Sequence, residues 1–281
     1  MSDDRLQTAT LASWIFGGPD GPPLDDPAEL YHEASKIYPS FAGRDTGGVR
    51  LLESTPQLQL SAVRGVKRHP QRAAVALPPP RLPDVSLAQA VERRESRRTF
   101  ADRPLPLEQL ATVLHTAYGV THATRLPGNR NGQPLRAVPS GGALYPLELY
   151  LLVQRVEGLE RGLYHYDPWR HALECLPPGA DHAVGDLTAY PELLEPSAAL
   201  LVVTAVFWRT RFKYALRGYR FALLEAGHVG QNVALAAAAL DLAALPVGGV
   251  YDRRLEEVVG VDGVNESVVY VFALGCPGDG A

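Results

Sequence analysis

The sequence predicts an α+β protein, because strand-like and helix-like segments follow one another without the regular alternation of a doubly wound sheet. The apolar runs 198–207 and 266–275 have the length and the β-branched and aromatic content of strands. The longer alanine-rich stretch 218–240 has the length of a helix, and its Gly227 and Gly230 predict close approach of a neighbouring element. A chain of 281 residues can bury a sizeable core in one large domain or two small ones.

The first helix of the main part of the chain is predicted to begin at Ser86. Glutamine follows this serine three positions later, which is the capping-box pattern of a helix N-terminus. The apolar positions at helical spacing predict its buried face: Leu87, Ala90 and Val91. Arg94 continues that face, so its guanidinium is predicted to be buried and therefore to need an anion.

Later segments carry signals of their own. A second helix is predicted from Leu107, and residues 147–154 have the pattern of a strand. Residues 162–176 predict a hairpin that turns at the Asp-Pro pair 167–168. Residues 121–137 are rich in Gly, Asn, Pro and Arg, which predicts a mobile loop.

Four prolines between residues 78 and 83 form a stiff connector, which is the best candidate for a domain boundary. We therefore expect an N-terminal extension, residues 1–80, packed on a main domain, residues 81–281. The extension shows no sustained hydrophobic period, and no internal repeat is visible in the chain.

Composition and charge narrow the possible functions. The net charge of -4 argues against a general nucleic-acid-binding protein. The two cysteines, Cys175 and Cys276, lie far apart in the sequence, which suggests no disulfide framework and indicates a reducing compartment. The histidines lack the spacing of metal ligands, so no metal site is expected. The N-terminus lacks a signal-peptide pattern, and the longest apolar run, 233–240, is too short for a bilayer. We expect a cytoplasmic protein that binds no membrane.

Lys213 and Tyr214 stand out because lysine is scarce in this chain. Lys36, Lys67 and Lys213 are its lysines, and arginine supplies the other basic side chains. A desolvated lysine can release its proton whereas arginine cannot, and a neighbouring ammonium lowers the pKa of a tyrosine. The pair is therefore a candidate for proton transfer. The alternative is an exposed lysine beside a half-buried tyrosine at the start of a helix.

Arg94, Ser96 and Arg98 form a candidate phosphate site at the end of the Ser86 helix. Two guanidinium groups and a hydroxyl donor suit the oxygens of a phosphate monoester. The alternative is a helix C-terminus with cations that favour its dipole.

Two glycine pairs are candidate ligand-binding turns. The first lies in the segment Pro139-Ser140-Gly141-Gly142, and the second is Gly248-Gly249. Glycine allows backbone to approach a flat ligand closely. Neither pair has the spacing of a Rossmann turn or a P-loop, so no dinucleotide or Walker site is expected.

Taken in order, these elements resemble the nitroreductase superfamily, and more closely its SagB-type dehydrogenases, the azoline oxidases of peptide natural-product pathways. The resemblance covers roughly residues 86–278 and an ordered set of motifs is more specific than any one of them. The motifs are RESRRTF (94–100), RAVPSGGALYPLELY (136–150), GLYHYDP (162–168) and KYALRGYRFALLEAGHVGQN (213–232).

The resemblance implies an FMN enzyme with a mixed central sheet flanked by helices, working as a homodimer with flavin at the subunit interface. Arg94, Ser96 and Arg98 match the family's phosphate and ribityl contacts. The matches to the remaining flavin-binding positions are Pro139, Ser140 and Gly141 beside the isoalloxazine, Gly248 and Gly249 near flavin N5, and Gln231 in the helix behind the cofactor. Lys213 and Tyr214 match the Lys-Tyr pair of azoline oxidases.

Two departures from the wider family bear on function. Ala143 and Tyr145 replace the Asn and Gln of ordinary nitroreductases, so the chain looks unlike a generic quinone or nitro reductase. Ordinary members also complete the phosphate site with basic residues beyond the last strand, and no Lys or Arg follows Arg254 here.

The resemblance implies an FMN-dependent oxidation of a thiazoline or oxazoline in a peptide to the aromatic azole, with Lys213 or Tyr214 as the base. A cyclodehydratase partner is expected to present the peptide. The alternatives are an NAD(P)H-dependent reductase of nitro, quinone or enone compounds, and a flavin-free scaffold subunit of a peptide-modifying complex.

Overall fold

The computed structural model describes residues 27–39, 47–55, 65–126 and 129–279. The α-helices in these ranges are α1 (Pro27–Ala34), α2 (Gly47–Ser54), α3 (Leu87–Arg93), α4 (Leu107–Tyr118), α5 (Pro191–Leu194), α6 (Trp208–Ala239) and α7 (Asp252–Val259). The strands are β1 (Ala74–Ala76), β2 (Val120–Leu126), β3 (Asn129–Arg136), β4 (Leu147–Val153), β5 (Gly162–Asp167), β6 (Ala172–Leu176), β7 (Ala199–Val206), β8 (Ala243–Val247) and β9 (Glu266–Gly275). Within the described residues, no helix is both long enough and apolar enough to cross a bilayer.

One large sheet organises the fold. Its strand order is β1-β6-β5-β4-β7-β9-β8, and each neighbouring pair of these strands is antiparallel. The α+β class is therefore confirmed. The expectation of a mixed sheet is corrected, because each of these pairings runs antiparallel.

Strand β7 lies at the centre of the sheet and is buried on both faces, as its apolar run predicted. Leu201 and Val203 point into a core shared with α4 and α6. Leu200 and Val202 point into a second core, which Leu255 of α7 helps to fill. Each fully buried aliphatic side chain of this kind contributes about 1.5–3 kcal/mol through removal of apolar surface from water.

Helix α3 begins with the predicted capping box. The Ser86 side chain accepts a hydrogen bond from the Gln89 backbone amide, and the Gln89 side chain accepts one from the Ser86 backbone amide. Its predicted buried face is wrong. Ala90 alone is buried among the residues of α3, whereas Leu87 is 71% exposed and Val91 is 54% exposed. Arg94 is exposed as well, because this two-turn helix packs on α6 through its small residue and turns its larger side chains away.

Residues 121–137 are not a loop, contrary to prediction. They lie largely in β2 and β3, which pair antiparallel from Val120–Arg136 to Leu126–Asn129. Val120 and the threonines of β2 favour extended backbone, and cross-strand pairing outweighs the turn-forming residues of β3. The predicted helices and strands elsewhere, namely α4, β4, the β5–β6 hairpin, β7 and β9, are confirmed.

Helix α6 begins ten residues earlier than predicted, at Trp208, and breaks at Ala215, whose φ is 48° and ψ is -132°. Gly230 permits the predicted close approach, because a Cβ built there would lie 2.5 Å from the Tyr270 ring. Gly227 does not: a Cβ at that position meets no atom within 4 Å.

Candidate active site

Lys213 and Tyr214 converge on the first glycine turn. Gly142 has a φ of 66°, and a Cβ built on it would lie 2.7 Å from Tyr214 Oη and 2.9 Å from Lys213 Nζ. Lys213 Nζ also lies 5.1 Å from the centroid of the Tyr214 ring. Phe221 packs against both parts of this group. Its ring centroid is 5.0 Å from that of Tyr214, and its ring contacts Gly141. Two predicted components of the site are therefore adjacent.

The break at Ala215 sets the direction of the short helical segment that carries the pair. Side chains at positions i and i+1 of a regular helix do not face each other. Lys213 and Tyr214 keep helical backbone, and the break directly after them changes the direction of residues 208–214 relative to the rest of α6. Both of their long side chains end at Gly142. An amine and a phenol held side by side at a bare backbone turn have the chemistry of a proton-transfer site.

A buried carboxyl, Glu225 of α6, lies behind this turn. Its Oε1 accepts a 2.6 Å hydrogen bond from the Tyr118 hydroxyl, whereas Oε2 has no hydrogen-bond partner of normal geometry among the described residues. Burial raises the pKa of Glu225 to about 7, although the Ser140 and Tyr118 hydroxyls lower it in part. Ser140 in turn accepts from the Tyr145 amide at 2.9 Å, so Glu225 lies against a fixed part of the turn.

Arg136 is a buried cation beside the same carboxyl. Its guanidinium stacks 4.2 Å from the Tyr118 ring centroid and 4.7 Å from that of Tyr145, which offsets part of the cost of burial. Glu225, Tyr118 and Phe221 were missed by the sequence analysis. The signal that could have identified Glu225 is an acidic residue within an apolar, alanine-rich helix.

The candidate phosphate residues remain available to an anion. Arg94 and Arg98 are exposed. Among the described residues neither forms an ion pair, and the Arg98 side chain donates a hydrogen bond only to the Ser96 carbonyl, at 3.3 Å. Arg97 is engaged, because it pairs with Glu95 and, at 2.8 Å, with Asp241. Cations without carboxylate partners fit a phosphate monoester.

Within one chain, the phosphate residues and the Lys213–Tyr214 pair lie at opposite ends of α6. The ion pair between Arg97 and Asp241 places the cluster of arginines next to the C-terminal end of α6. At about 1.5 Å per residue, the part of α6 beyond Ala215 is roughly 35 Å long. That is longer than a mononucleotide, so one chain does not assemble the two groups into one flavin site.

The remaining predicted flavin contacts differ in exposure. Gly248 is exposed, with open space around its Cα, whereas Gly249 packs against the Tyr190 ring and its carbonyl accepts from the Thr188 hydroxyl at 2.8 Å. Gln231 is exposed on α6, and Pro139 is exposed at the start of the turn.

One group of side chains in the described ranges has the spacing of a metal site, namely His69, His165 and Glu174. Both ring nitrogens of His165 already lie near carboxylates, 2.8 Å from Glu148 and 3.1 Å from Glu174. Burial lowers the pKa of His165, but these carboxylates raise it overall. With Arg209 at 2.6 Å from Glu148, the charges compensate one another, and the group acts as a buried ionic network.

The sequence of the chain matches the family model described as "Nitroreductase family" over residues 91–276. This match covers well over half of the chain, and the chain therefore belongs to the nitroreductase family. The fold described above and the order of the motifs agree with this membership.

Two relatives illustrate the range of the family. MJ1384 of Methanocaldococcus jannaschii, named as a nitroreductase, is 35% identical over 184 residues, which cover 64% of this chain and 87% of that protein. The microcin B17-processing protein McbC of Escherichia coli is 34% identical over 141 residues, 47% of this chain and 50% of McbC. The match thus spans about half of McbC, and it agrees with the branch that the motifs indicated.

A solved structure has the same fold. It is a chain from the E. coli microcin synthetase McbBCD complex with truncated pro-MccB17 bound, with a TM-score of 0.52 and 24% identity. The superposition covers 90% of this chain and 92% of that one.

Proposed function

We propose that this protein is an FMN-dependent oxidase that converts a thiazoline or oxazoline in a peptide to the corresponding azole. The observation that carries the proposal is the convergence of Lys213 Nζ and Tyr214 Oη on Gly142. Membership of the nitroreductase family and the similarity to a microcin-processing protein support it.

The reaction removes one proton and one hydride equivalent from the ring. FMN, when bound, accepts the hydride equivalent, which is the chemistry that the cofactor supplies. The protein supplies the base: Lys213 as the neutral amine, or Tyr214 as the phenolate, takes the ring proton, and its neighbour is held beside it against the same turn. Phe221 and the turn at Gly141 shield one side of this pair from water.

The residues that would hold FMN come from two subunits. Arg94, Ser96 and Arg98 would hold the phosphate, while Pro139, Ser140 and Gly141 would face the ring system, with Gly248, Gly249 and Gln231 as further contacts. The length of α6 separates the first set from Lys213 in one chain. We therefore propose a homodimer in which the arginines of one subunit meet the glycine turn of its partner.

The peptide substrate is proposed to arrive with a cyclodehydratase partner, which forms the azoline ring. The structural similarity to a chain of the McbBCD complex with bound pro-MccB17 supports such an assembly. The N-terminal extension, residues 1–80, and the main domain, residues 81–281, are proposed as the units of the chain.

The Lys-Tyr pair is tested with Lys213→Ala and Tyr214→Phe. Each substitution is expected to lower the rate of thiazoline oxidation in a synthetic peptide by about 100-fold or more, because general-base catalysis contributes that much. Flavin content, read from the absorbance spectrum, is expected to stay at the wild-type level. Lys36→Ala is the control, since Lys36 is half-buried and pairs with Glu33. Undiminished oxidation in Lys213→Ala and Tyr214→Phe would contradict the proposed role.

A reductase is the second candidate, and the similarity to MJ1384 favours it. Rapid bleaching of the bound flavin by NADPH, with none by a thiazoline peptide, would support the reductase. Protein that copurifies with a peptide-modifying complex and carries no flavin would instead support a scaffold subunit.

A further inference from the structure

We propose that α1 and α2 act as a positioning element for the Lys213–Tyr214 pair, a role that rests on the proposed function. The two helices contact α6 on both sides of its break at Ala215. They lie in the N-terminal extension, whose sequence carries no catalytic motif.

The break in α6 is a strained conformation that needs outside support. Ala215 has a positive φ of 48° with a ψ of -132°, a backbone conformation that glycine adopts far more readily than residues with a side chain. A broken helix also leaves backbone carbonyls without their usual amide donors. The Tyr31 hydroxyl of α1 donates to the Leu216 carbonyl, one residue after the break, at 3.1 Å. This contact joins α1 to the residue directly after the break.

Helix α2 lies against the other side of the break. A Cβ built on Gly48 would lie 2.0 Å from the Phe212 carbonyl oxygen and 2.9 Å from the Lys213 Cα. The two backbones are therefore in contact at the residue that carries the amine, and only glycine fits at position 48 without a shift.

The contacts between α1 and α6 are reciprocal. The C-terminal carbonyls of a helix lack intrahelical partners and carry partial negative charge. At the end of α1, the Ser35 carbonyl accepts from Arg217 at 3.1 Å, and the His32 carbonyl accepts from Arg220 at 2.7 Å. The Tyr31 and Tyr219 rings pack edge to face, 5.3 Å apart. Arg217 and Arg220 therefore bind the extension, whereas the phosphate residues lie at the far end of α6.

Because the break sets the direction of residues 208–214 relative to the rest of α6, loss of these contacts is expected to move Lys213 and Tyr214 away from the turn. Arg94 and Arg98 lie about 35 Å away along α6 and are expected to keep their places. The structure thus predicts a selective loss of the chemical step, with cofactor affinity retained.

Two substitutions in the full-length, flavin-loaded protein test this role. Tyr31→Phe removes the hydroxyl but keeps the ring, and Gly48→Ala pushes α2 off the Phe212 carbonyl. We expect kcat for a synthetic thiazoline peptide to fall about tenfold or more, because small displacements of reacting groups have effects of this size. KM and flavin affinity are expected to be unchanged. Amide exchange of residues 210–218, measured by mass spectrometry, is expected to be faster.

Ser54→Ala is the matched control, because among the described residues the Ser54 hydroxyl bonds only the Leu51 carbonyl of its own helix. Unchanged exchange and unchanged kcat in both test variants would overturn the positioning role. Loss of flavin or of cooperative unfolding in Tyr31→Phe would also overturn it, since that indicates general support of the fold. If the wild-type protein does not oxidise the peptide, the proposed function fails, whereas the exchange of residues 210–218 still decides whether α1 and α2 hold the break.

Discussion

Glu225 shows how one buried group links the stability of the fold to the candidate site. It hydrogen-bonds Tyr118 and lies behind Ser140, on the protein side of the glycine turn. Its charged form lacks a complete set of hydrogen bonds, because Oε2 has no hydrogen-bond partner of normal geometry among the described residues. Burial therefore favours the protonated carboxyl, and the pKa of Glu225 is raised to about 7.

This raised pKa predicts a pH-dependent stability. The protonated carboxyl stabilises the fold below the unfolded-state pKa, near 4.5, and this contribution is lost as the pH rises to about 7. Glu225→Gln keeps a neutral group of similar shape, so its free energy of unfolding relative to wild type is expected to improve by about 2–3 kcal/mol from pH 5 to pH 8. Urea unfolding at each pH measures the difference.

The control for that experiment is Glu192→Gln, which changes an exposed carboxyl in α5. A stability difference between Glu225→Gln and wild type that stays constant from pH 5 to pH 8 would show that Glu225 is already ionised at pH 5.

At the scale of the element, α6 connects the parts of the site. Its N-terminal end carries Lys213 and Tyr214, its middle carries Glu225, and its C-terminal end lies beside Arg97. Its buried face contacts β9 at Gly230, where the Tyr270 and Phe272 rings leave no room for a side chain.

Gly230→Ala is expected to destabilise the protein by roughly 1–3 kcal/mol. The new methyl group would meet the Tyr270 ring at 2.5 Å, and this overpacking outweighs the gain of about 1 kcal/mol in helix propensity. Urea unfolding measures the change, and a stabilised Gly230→Ala protein would contradict the described packing of α6 on β9.

Gly227→Ala is the matched substitution at an exposed position of α6. Its methyl group meets no atom of its own chain within 4 Å, so a single subunit is expected to gain about 0.5–1 kcal/mol from the better helix former. A loss of stability would indicate that a partner subunit covers this side.

The sequence predicted most elements but not the geometry that joins them. The capping box at Ser86 and the apolar run of β9 are local signals, and both predictions are confirmed. The break at Ala215 had no local signal, because alanine favours a regular helix and the contacts that hold the break come from residues far away in the chain. The prediction that Arg94 is buried was wrong. An apolar stripe on a helix does not reveal whether the same chain or a second chain covers it.

At the scale of the whole molecule, exposed apolar side chains support the proposed homodimer. Leu87 and Val91 of α3 are largely exposed, and so are Leu223 and Leu224 of α6. Exposed apolar surface on adjacent helices is typical of a protein–protein interface. A second subunit that covered them would bring a second set of arginines towards the glycine turn.

Val91→Glu and Leu224→Glu are expected to convert the dimer to monomers and to release the flavin, because each places a charge in the proposed interface. Sedimentation velocity and flavin absorbance measure the two effects. Val264→Glu is the control, since Val264 is 76% exposed in the turn before β9. Monomers that retain flavin would contradict a shared site.

The most direct test of the azoline-oxidase account is anaerobic mixing of the flavin-loaded protein with a synthetic peptide that carries one thiazoline. The account predicts loss of flavin colour and a product peptide lighter by two hydrogen atoms, with neither change in Lys213→Ala. Flavin that keeps its colour with the peptide but is bleached by NADPH would contradict it.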